Sequence, residues 1–304
     1  MKNRVIVVAG PTASGKTACA VQLCKILGGE VVSADSMQIY DEMSIGTALP
    51  TDEEKQGIAH HMLAFIHPDT KYNASMYQKD ALSAVNSIIS KGKIPVIAGG
   101  TGLYVNSLTY RLDFTQTAAN EELRAQLSDE YDKDPAAMYQ SMLRLDPSAE
   151  NRIHLHDKKR IIRRMEIHMQ SGGGEYDFFK ENDDFDFVLI GLTKQREKLY
   201  DDINARVDIM MGMGLEAEAR RIYEKYGSCI TAFSAIGYKE FLPYFYGECC
   251  LFDTVEKIKQ NTRRFAKRQL TWFKRDKRFK WYFSDAYESV DALCQDIVKQ
   301  SDLV

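Results

Sequence analysis

Two glycines, three hydroxyl residues and a lysine fall together in Gly10-Pro-Thr-Ala-Ser-Gly-Lys-Thr17. The spacing G-x-x-x-x-G-K-[ST] is chemistry for a polyphosphate. Gly10 and Gly15 let the backbone curl, so that successive amides through Thr12, Ala13 and Ser14 turn toward phosphate oxygens. A helix opening near Gly15 adds the positive end of its dipole. Lys16 brings a mobile positive charge to the terminal phosphate, and the Thr17 hydroxyl can ligate Mg²⁺. The loop specifies a polyphosphate and leaves the reaction open, since ATPases, kinases and group transferases all use it.

Asp35, in Ala34-Asp-Ser-Met-Gln-Ile-Tyr40, is the next chemical group. Where a strand ends beside the phosphate loop, a carboxylate can orient an acceptor and take its proton. Aspartate also caps helix N-termini, and that reading stays open. Thr101, in Gly99-Gly-Thr-Gly-Leu-Tyr104, has the same double meaning. Its hydroxyl and amide can meet an anion, or the residue can be a plain cap. His60 and His61 are neighbours, so in a strand their rings face opposite ways. That is poor geometry for one metal, and a structural role is expected. Arg206 lies in a long helical pattern and from spacing alone is an ordinary surface arginine.

These groups need elements to position them. Arg4–Ala9 reads as a β-branched strand ending at Gly10, followed by a helix over 15–27 and a second strand over 30–33. Residues 73–90 have helical spacing, and 94–98 is a third buried-type strand ended by Gly99 and Gly100. Strands alternating with helices imply a parallel sheet with ligands beyond the strands' carboxyl ends. From about 115 to 181 only helical segments appear, punctuated by Asp134-Pro135, Asp146-Pro147 and the glycines at 172–174. A strand returns at 185–192, then long helices over 195–213, Leu215–Tyr226 and 253–274. The fold expected is α/β: a P-loop NTPase-like parallel-sheet core, residues 1–114 and 186–304, with a helical insertion domain at 115–185.

The 304 residues, 44% hydrophobic and 27% charged, suit a soluble globular chain. No apolar run approaches the roughly 20 residues of a membrane span. The apolar stretch 5–9 is shorter than the signal-peptide core of about 7–15 residues, so a cytoplasmic protein is expected. Six cysteines show no metal spacing and are expected to stay reduced. The net charge of −3 conceals a basic block at 257–280, with eleven Lys or Arg against one acid. Within it Arg264 and Arg268, like Arg263 and Lys267, are i,i+4 pairs. Phe265, Trp272 and Phe273 are interleaved there as core or as stacking platforms for bases. In the insert Arg160, Arg163 and Arg164 share one helix face. Either face alone fits a solvated surface. Together with the phosphate loop they favour a nucleic acid.

The motifs at 10–17, 35–40, Ile45-Gly-Thr-Ala48, His60–His61 and 99–104 come in a telling order. They continue with His156-Asp-Lys-Lys-Arg-Ile-Ile-Arg163, Ala235-Ile-Gly-Tyr-Lys-Glu240 and Thr262-Arg-Arg-Phe-Ala-Lys-Arg-Gln-Leu-Thr-Trp-Phe273. Over about residues 5–273 the chain resembles the tRNA dimethylallyltransferases, and without a zinc-finger extension after Phe273 it resembles their bacterial type. The resemblance implies that a dimethylallyl group passes from dimethylallyl diphosphate to the exocyclic amine of the adenine 3′-adjacent to the tRNA anticodon, with pyrophosphate leaving. It implies a cytoplasmic monomer that uses Mg²⁺.

Carried over by position, the resemblance assigns Gly10, Thr12, Ala13, Ser14, Gly15, Lys16, Thr17 and Arg206 to the diphosphate, and Ser14 and Thr17 also to Mg²⁺. Asp35 becomes the general base, with Lys16 and Thr101 beside the reacting centre. Asp35, Ser36, Met37, Gln38, Thr101, Arg124, Lys159, Arg160, Ile161, Ile162 and Arg163 become tRNA contacts, and the helical insert the domain that clasps tRNA. The chain departs from the family in Met62-Leu-Ala64, in His156, in Arg164 where alanine is usual, and in Leu49 where lysine is common. Three other readings use some of the same residues: a small-molecule kinase, a prenyltransferase of free adenine nucleotides, and an RNA-binding switch without transfer chemistry.

Overall fold

The computed structural model describes residues 2–112, 120–150, 153–171 and 180–303. The glycines at 172–174 and the expected boundary at 114–115 lie outside them. In chain order the elements are β1 (Arg4–Ala9), α1 (Lys16–Leu27), β2 (Gly29–Ser33), α2 (Asp52–Lys55), β3 (His60–His61), α3 (Ala74–Ser90), β4 (Ile94–Gly99) and α4 (Gly102–Thr109). Then come α5 (Glu121–Lys133), α6 (Pro135–Leu145), α7 (Lys158–Ser171), β5 (Asp186–Thr193), α8 (Arg196–Gly212) and α9 (Leu215–Tyr226). The chain closes with α10 (Leu242–Phe245), α11 (Leu251–Phe273), β6 (Lys280–Phe283) and α12 (Val290–Gln300). They divide into two compact units: Met1–Tyr110 with Glu181–Val304, and Arg111–Lys180.

In the larger unit six strands form one sheet in the order β3-β2-β4-β1-β5-β6. Every neighbouring pair is parallel. This is the α/β fold that the alternation implied. Side chains alternate across the sheet. Val5, Val7 and Ala9 pack with Tyr77, Ala81 and Val85 of α3 and Val105 and Leu108 of α4. Ile6 and Val8 face the other way, onto Cys19, Ala20 and Leu23 of α1 and Leu293 and Ile297 of α12. A further cluster joins Ile39 and Tyr40 to α8, α9, Phe233, Tyr238 and Ile258.

The sequence reading placed neither β6 nor α12. Trp281, Tyr282 and Phe283 carry the strand's aromatic signal, but Lys280 and the cations before them made the segment read as one basic block. The apolar stretch after β3 is not pleated: Met62 and Ala64 have φ of 63° and 47°. Its amides at Ala64 and Phe65 instead bond Gln38 O and Ile39 O, fastening this segment to the one after Asp35.

The smaller unit has its own core. Leu127 and Tyr131 of α5, Met138 and Met142 of α6, and Ile161, Ile162 and Met165 of α7 meet in one cluster. Asn120, Asp134 and Asp146 cap its helical segments through side-chain oxygens.

Candidate active site

The phosphate loop leaves β1 at Gly10, where φ is 154°. A Cβ there would stand 2.1 Å from Leu192 O of β5, so the chain can turn only with glycine in that place. Ala13 is also left-handed, with φ 64°, and its methyl is buried against Leu199, Ile203 and Ala266. Gly15 caps α1 without a side-chain bond, so the first amides of the helix have no acceptor of their own. Not every loop amide faces inward as expected. Thr12 N–H donates to Gln269 Oε1 at 2.9 Å, which withdraws it from any phosphate. Ser14 Oγ is fully buried with no hydrogen-bond partner among the described residues. A buried hydroxyl in that state costs about 1–3 kcal/mol until something supplies the missing bond. The hard-oxygen set of Ser14 and Thr17 therefore fits the implied Mg²⁺ or a diphosphate oxygen.

Two cations converge on the loop. Lys16 Nζ donates to Pro11 O at 2.6 Å. Burial first and the Arg206 charge second, against the opposing pull of Asp35, bring the ammonium down to about 7. Arg206, on α8, keeps one side open to solvent and is hemmed in elsewhere, enough for desolvation to lower it as well. Neither forms an ion pair among the described residues. Asp202, one turn before Arg206, is already held by Lys194 at 2.6 Å and Lys198 at 2.9 Å. Sequence spacing could not distinguish Arg206 from its surface neighbours. The fold sets its charge against that of Lys16, and an anion between two such groups relieves their repulsion.

Asp35 follows β2. Its Oδ1 accepts from Met37 N at 2.9 Å and Gln38 N at 3.4 Å, closing a turn in place of the helix cap considered above. Burial raises its carboxyl above the ordinary aspartate value, against the pull of the Met37 amide, Lys16 and the Gln38 amide. A carboxylate so raised is a better base near neutral pH. Within its electrostatic reach the rings of Tyr77 and Tyr104 stack 3.8 Å apart at 9°, and Tyr77 OH donates to Ser33 O. Thr101 begins α4 without capping it through its side chain. Its Oγ1 instead accepts from Ser36 N at 2.9 Å and donates to Ser36 Oγ at 3.2 Å, tying β4's end to the residue beside Asp35. The Gln38 amide is engaged within the protein, by Ser33 Oγ and the carbonyls of Thr47 and Ala48.

His60 and His61 take separate partners. His60 Nδ1 bonds Ile58 O, and His61 Nε2 meets the buried Glu30 at 2.7 Å. Glu218 was missed by the sequence reading. Its buried carboxylate accepts from Ile45 N, Gly46 N and Tyr238 OH, and so joins the motifs at 45–48 and 235–240. Gln269 was missed too. The signal was a glutamine on the apolar stripe Ile258, Ala266, Gln269, Phe273 of α11. Phe273 on that stripe is buried, and Trp272 packs on Gly102, so these two rings are core and not platforms. Arg264, Lys267 and Arg268 form the exposed opposite face.

In the smaller unit the expected tRNA contacts separate. Ile161 and Ile162 are core side chains, 0% and 9% exposed, and this removes them as side-chain contacts. Helical packing claimed them because α5 and α6 cover that face of α7. Arg124 and Arg163 both bond the fully buried Glu166, at 3.0 and 2.6 Å. Burial alone would raise Glu166, yet Arg163, the Asn120 amide and Arg124 together hold its carboxyl below the usual range. Arg164, the departure from the family pattern, pairs with Asp146 at 2.6 Å. Lys159 and Arg160 remain exposed, Arg160 beside Asp157.

The IPP transferase family model matches residues 38–276. A tRNA dimethylallyltransferase of Alkaliphilus oremlandii (strain OhILAs) is 43% identical over 304 residues, covering 98% of this chain and 97% of its own. One of Thermotoga maritima is 42% identical over 301 residues, covering 97% and 98%. Among solved structures, a tRNA delta(2)-isopentenylpyrophosphate transferase from Staphylococcus epidermidis is 36% identical, with TM-score 0.74 over 99% of each chain. A eukaryotic dimethylallyltransferase acting on tRNA is 28% identical with TM-score 0.83, covering 99% of this chain and 79% of that one. With the family model matching 38–276 and relatives more than 40% identical along nearly the whole chain, the chain belongs to the IPP transferase family, that of the tRNA dimethylallyltransferases.

Proposed function

We propose that this site moves the dimethylallyl group of dimethylallyl diphosphate onto the exocyclic amine of the adenine 3′-adjacent to a tRNA anticodon. One observation carries the reading: the charge of Arg206, on α8, reaches Lys16 at the glycine loop with no ion pair at either among the described residues, and the raised carboxyl of Asp35 lies in electrostatic reach of Lys16. An aromatic amine is a weak nucleophile, so the barrier falls chiefly by stabilising the departing diphosphate. Lys16, Arg206 and the amides at the start of α1 meet the charge that grows on its oxygens. The carbon–oxygen bond breaks as the nitrogen–carbon bond forms. Asp35 accepts the proton released from nitrogen, and its Oδ1 bonds to Met37 and Gln38 fix its aim. Ser14 and Thr17 would hold Mg²⁺, which when bound neutralises charge on the leaving group.

The adenine must leave its stack to reach Asp35, at a cost of a few kcal/mol, and a single-stranded anticodon loop allows this where a duplex resists it. The exposed cations Lys159 and Arg160 of the smaller unit, and Arg264, Lys267 and Arg268 of α11, offer phosphate contacts. The test is transfer of label from isotopic dimethylallyl diphosphate into unmodified bulk tRNA with Mg²⁺, beside a reaction containing ATP alone. Label enters tRNA, and Asp35→Ala lowers the rate by about 10²–10⁴-fold while retaining tRNA binding. Phosphate release or transfer from ATP with no label in tRNA would sink this reading and favour the kinase one.

A further inference from the structure

Gln269 sits on α11, far along the chain from both glycine loops, and is only 5% exposed. Both ends of its side-chain amide are used. Oε1 accepts from Thr12 N in the phosphate loop at 2.9 Å, and Nε2 donates to Gly100 O in the loop after β4 at 2.9 Å. No other described side chain bonds both loops. The acceptor and donor of one planar amide are fixed relative to each other. The two loops are therefore held at a set separation as well as each being anchored.

The consequence follows from what each loop carries. The loop through Thr12 holds Lys16. The loop through Gly100 continues into Thr101, whose hydroxyl holds Ser36 next to Asp35. The neighbouring positions on α11 reinforce the arrangement. Ala266 packs on Ala13, and Trp272 packs on Gly102 and donates weakly to Asn106 at 3.4 Å. The environment also selects glycine at position 100. A Cβ there would stand 2.1 Å from Gln269 Nε2, with the next atom, Gln269 Cδ, 3.3 Å away. Gly100 thus leaves room for this amide.

We propose that Gln269 is a positioning residue that sets the distance between the diphosphate-holding loop and the acceptor-orienting segment. It touches neither substrate. Resting on the transfer reading above, the assignment concerns kcat more than affinity, because a group that aligns two bound partners acts once both are bound. Misplacing reacting atoms by about 1 Å costs on the order of 10²-fold.

The test uses Gln269→Met, which keeps length and removes both hydrogen bonds, and Gly100→Ala, which pushes the amide aside while leaving it in place chemically. Label transfer to tRNA is measured for each and for the double variant, with KM for both substrates and thermal midpoints. Each single variant lowers kcat by about 10–100-fold, with KM for dimethylallyl diphosphate and for tRNA changed less than about threefold. The double variant is hardly slower than either single one, because both interrupt the same link. A folded Gly100→Ala with unchanged kcat overturns the assignment, even if Gln269→Met fails to fold. Multiplying losses in the double variant, or effects confined to KM, overturn it equally. A wild-type chain that transfers no label sinks the transfer reading instead, and the two failures are thereby distinct.

Discussion

The phosphate loop and the arginine helix of the smaller unit are both rich in cations, but they treat charge in opposite ways. At the loop, the Arg206 charge reaches Lys16 with no ion pair at either among the described residues, and burial with that repulsion brings Lys16 to about 7. In the smaller unit, Glu166 takes Arg124 and Arg163, Asp146 takes Arg164, and Asp132 takes Lys158. A buried charge left unpaired is costly, and such a cost persists where function uses it. The first arrangement is one whose repulsion an anion between the two charges would relieve. The second is a scaffold whose cations mainly hold helices together, with Lys159 and the outward part of Arg160 left exposed.

The largest test of that contrast removes the unpaired cations. Lys16→Met or Arg206→Met lowers kcat/KM for dimethylallyl diphosphate by about 10²–10³-fold while tRNA binding measured by filter retention stays within twofold. A loss below about tenfold for both would mean that the two charges are ordinary surface groups, and the contrast would disappear.

The scaffold side is broken at Glu166. Glu166→Gln leaves two arginines without their shared carboxylate at a buried point, and costs about 2 kcal/mol once the exposure of both arginines is allowed for. Faster hydrogen exchange in α5 and α7, with unchanged affinity of the loop for pyrophosphate, is the expected outcome. The sign with pH follows from the depressed carboxyl. Its stabilisation is present above the ordinary glutamate value of 4.5 and is lost as pH falls through the lower folded value. If exchange in α5 and α7 is unaltered, these pairs are not what holds the helices.

A smaller effect separates the exposed arginine from the clipped one. Arg160→Ala lowers tRNA affinity by about three- to tenfold and reduces the salt slope by about one, with no change in stability. Arg163→Ala, by contrast, loosens the unit. Equal behaviour of the two variants in both assays would erase the distinction.

The sequence showed some of this contrast and concealed the rest, for identifiable reasons. The loop was legible because its chemistry is local: eight consecutive residues state the turn, the charge and the hydroxyls. The strands β1, β2, β4 and β5 were legible because apolar β-branched runs, ended by glycine at β1 and β4, have few other meanings. Spacing was silent on Arg206, which the resemblance alone named, since its charge reaches Lys16 only because α8 passes the loop. Ile161 and Ile162 were placed on RNA by motif continuity, although their apolar side chains and the i,i+3 pattern with Arg160 and Arg163 pointed inward. Gln269 and Glu218 are polar residues on otherwise apolar helix stripes, a signal visible in α11 and α9 that needed only to be read as buried bonds. The strand β6 was hidden because its neighbours' charges outweighed three aromatics.

The least effect is also the most direct test of whether the loop's charges are in conflict. Lys16 titrates near 7 in the folded, ligand-free chain, against an ordinary value of 10.5. Between those values the unfolded chain binds more protons than the folded one, so stability rises with pH across that window. Below about pH 7 both states carry the charge and the folded one bears the full penalty. Above 10.5 neither carries it and the penalty is gone. Lys16→Met should therefore stabilise the ligand-free protein at pH 6, by on the order of 1 kcal/mol given the partial exposure of the side chain, and by progressively less toward pH 10. Chemical denaturation midpoints of wild type and variant at pH 6 and pH 9 measure it. Pyrophosphate reverses the order at pH 6, because it stabilises wild type by mass action and the variant far less. A variant less stable than wild type at pH 6 without ligand would mean that Lys16 is satisfied by Pro11 O alone, and that the loop is at ease without an anion.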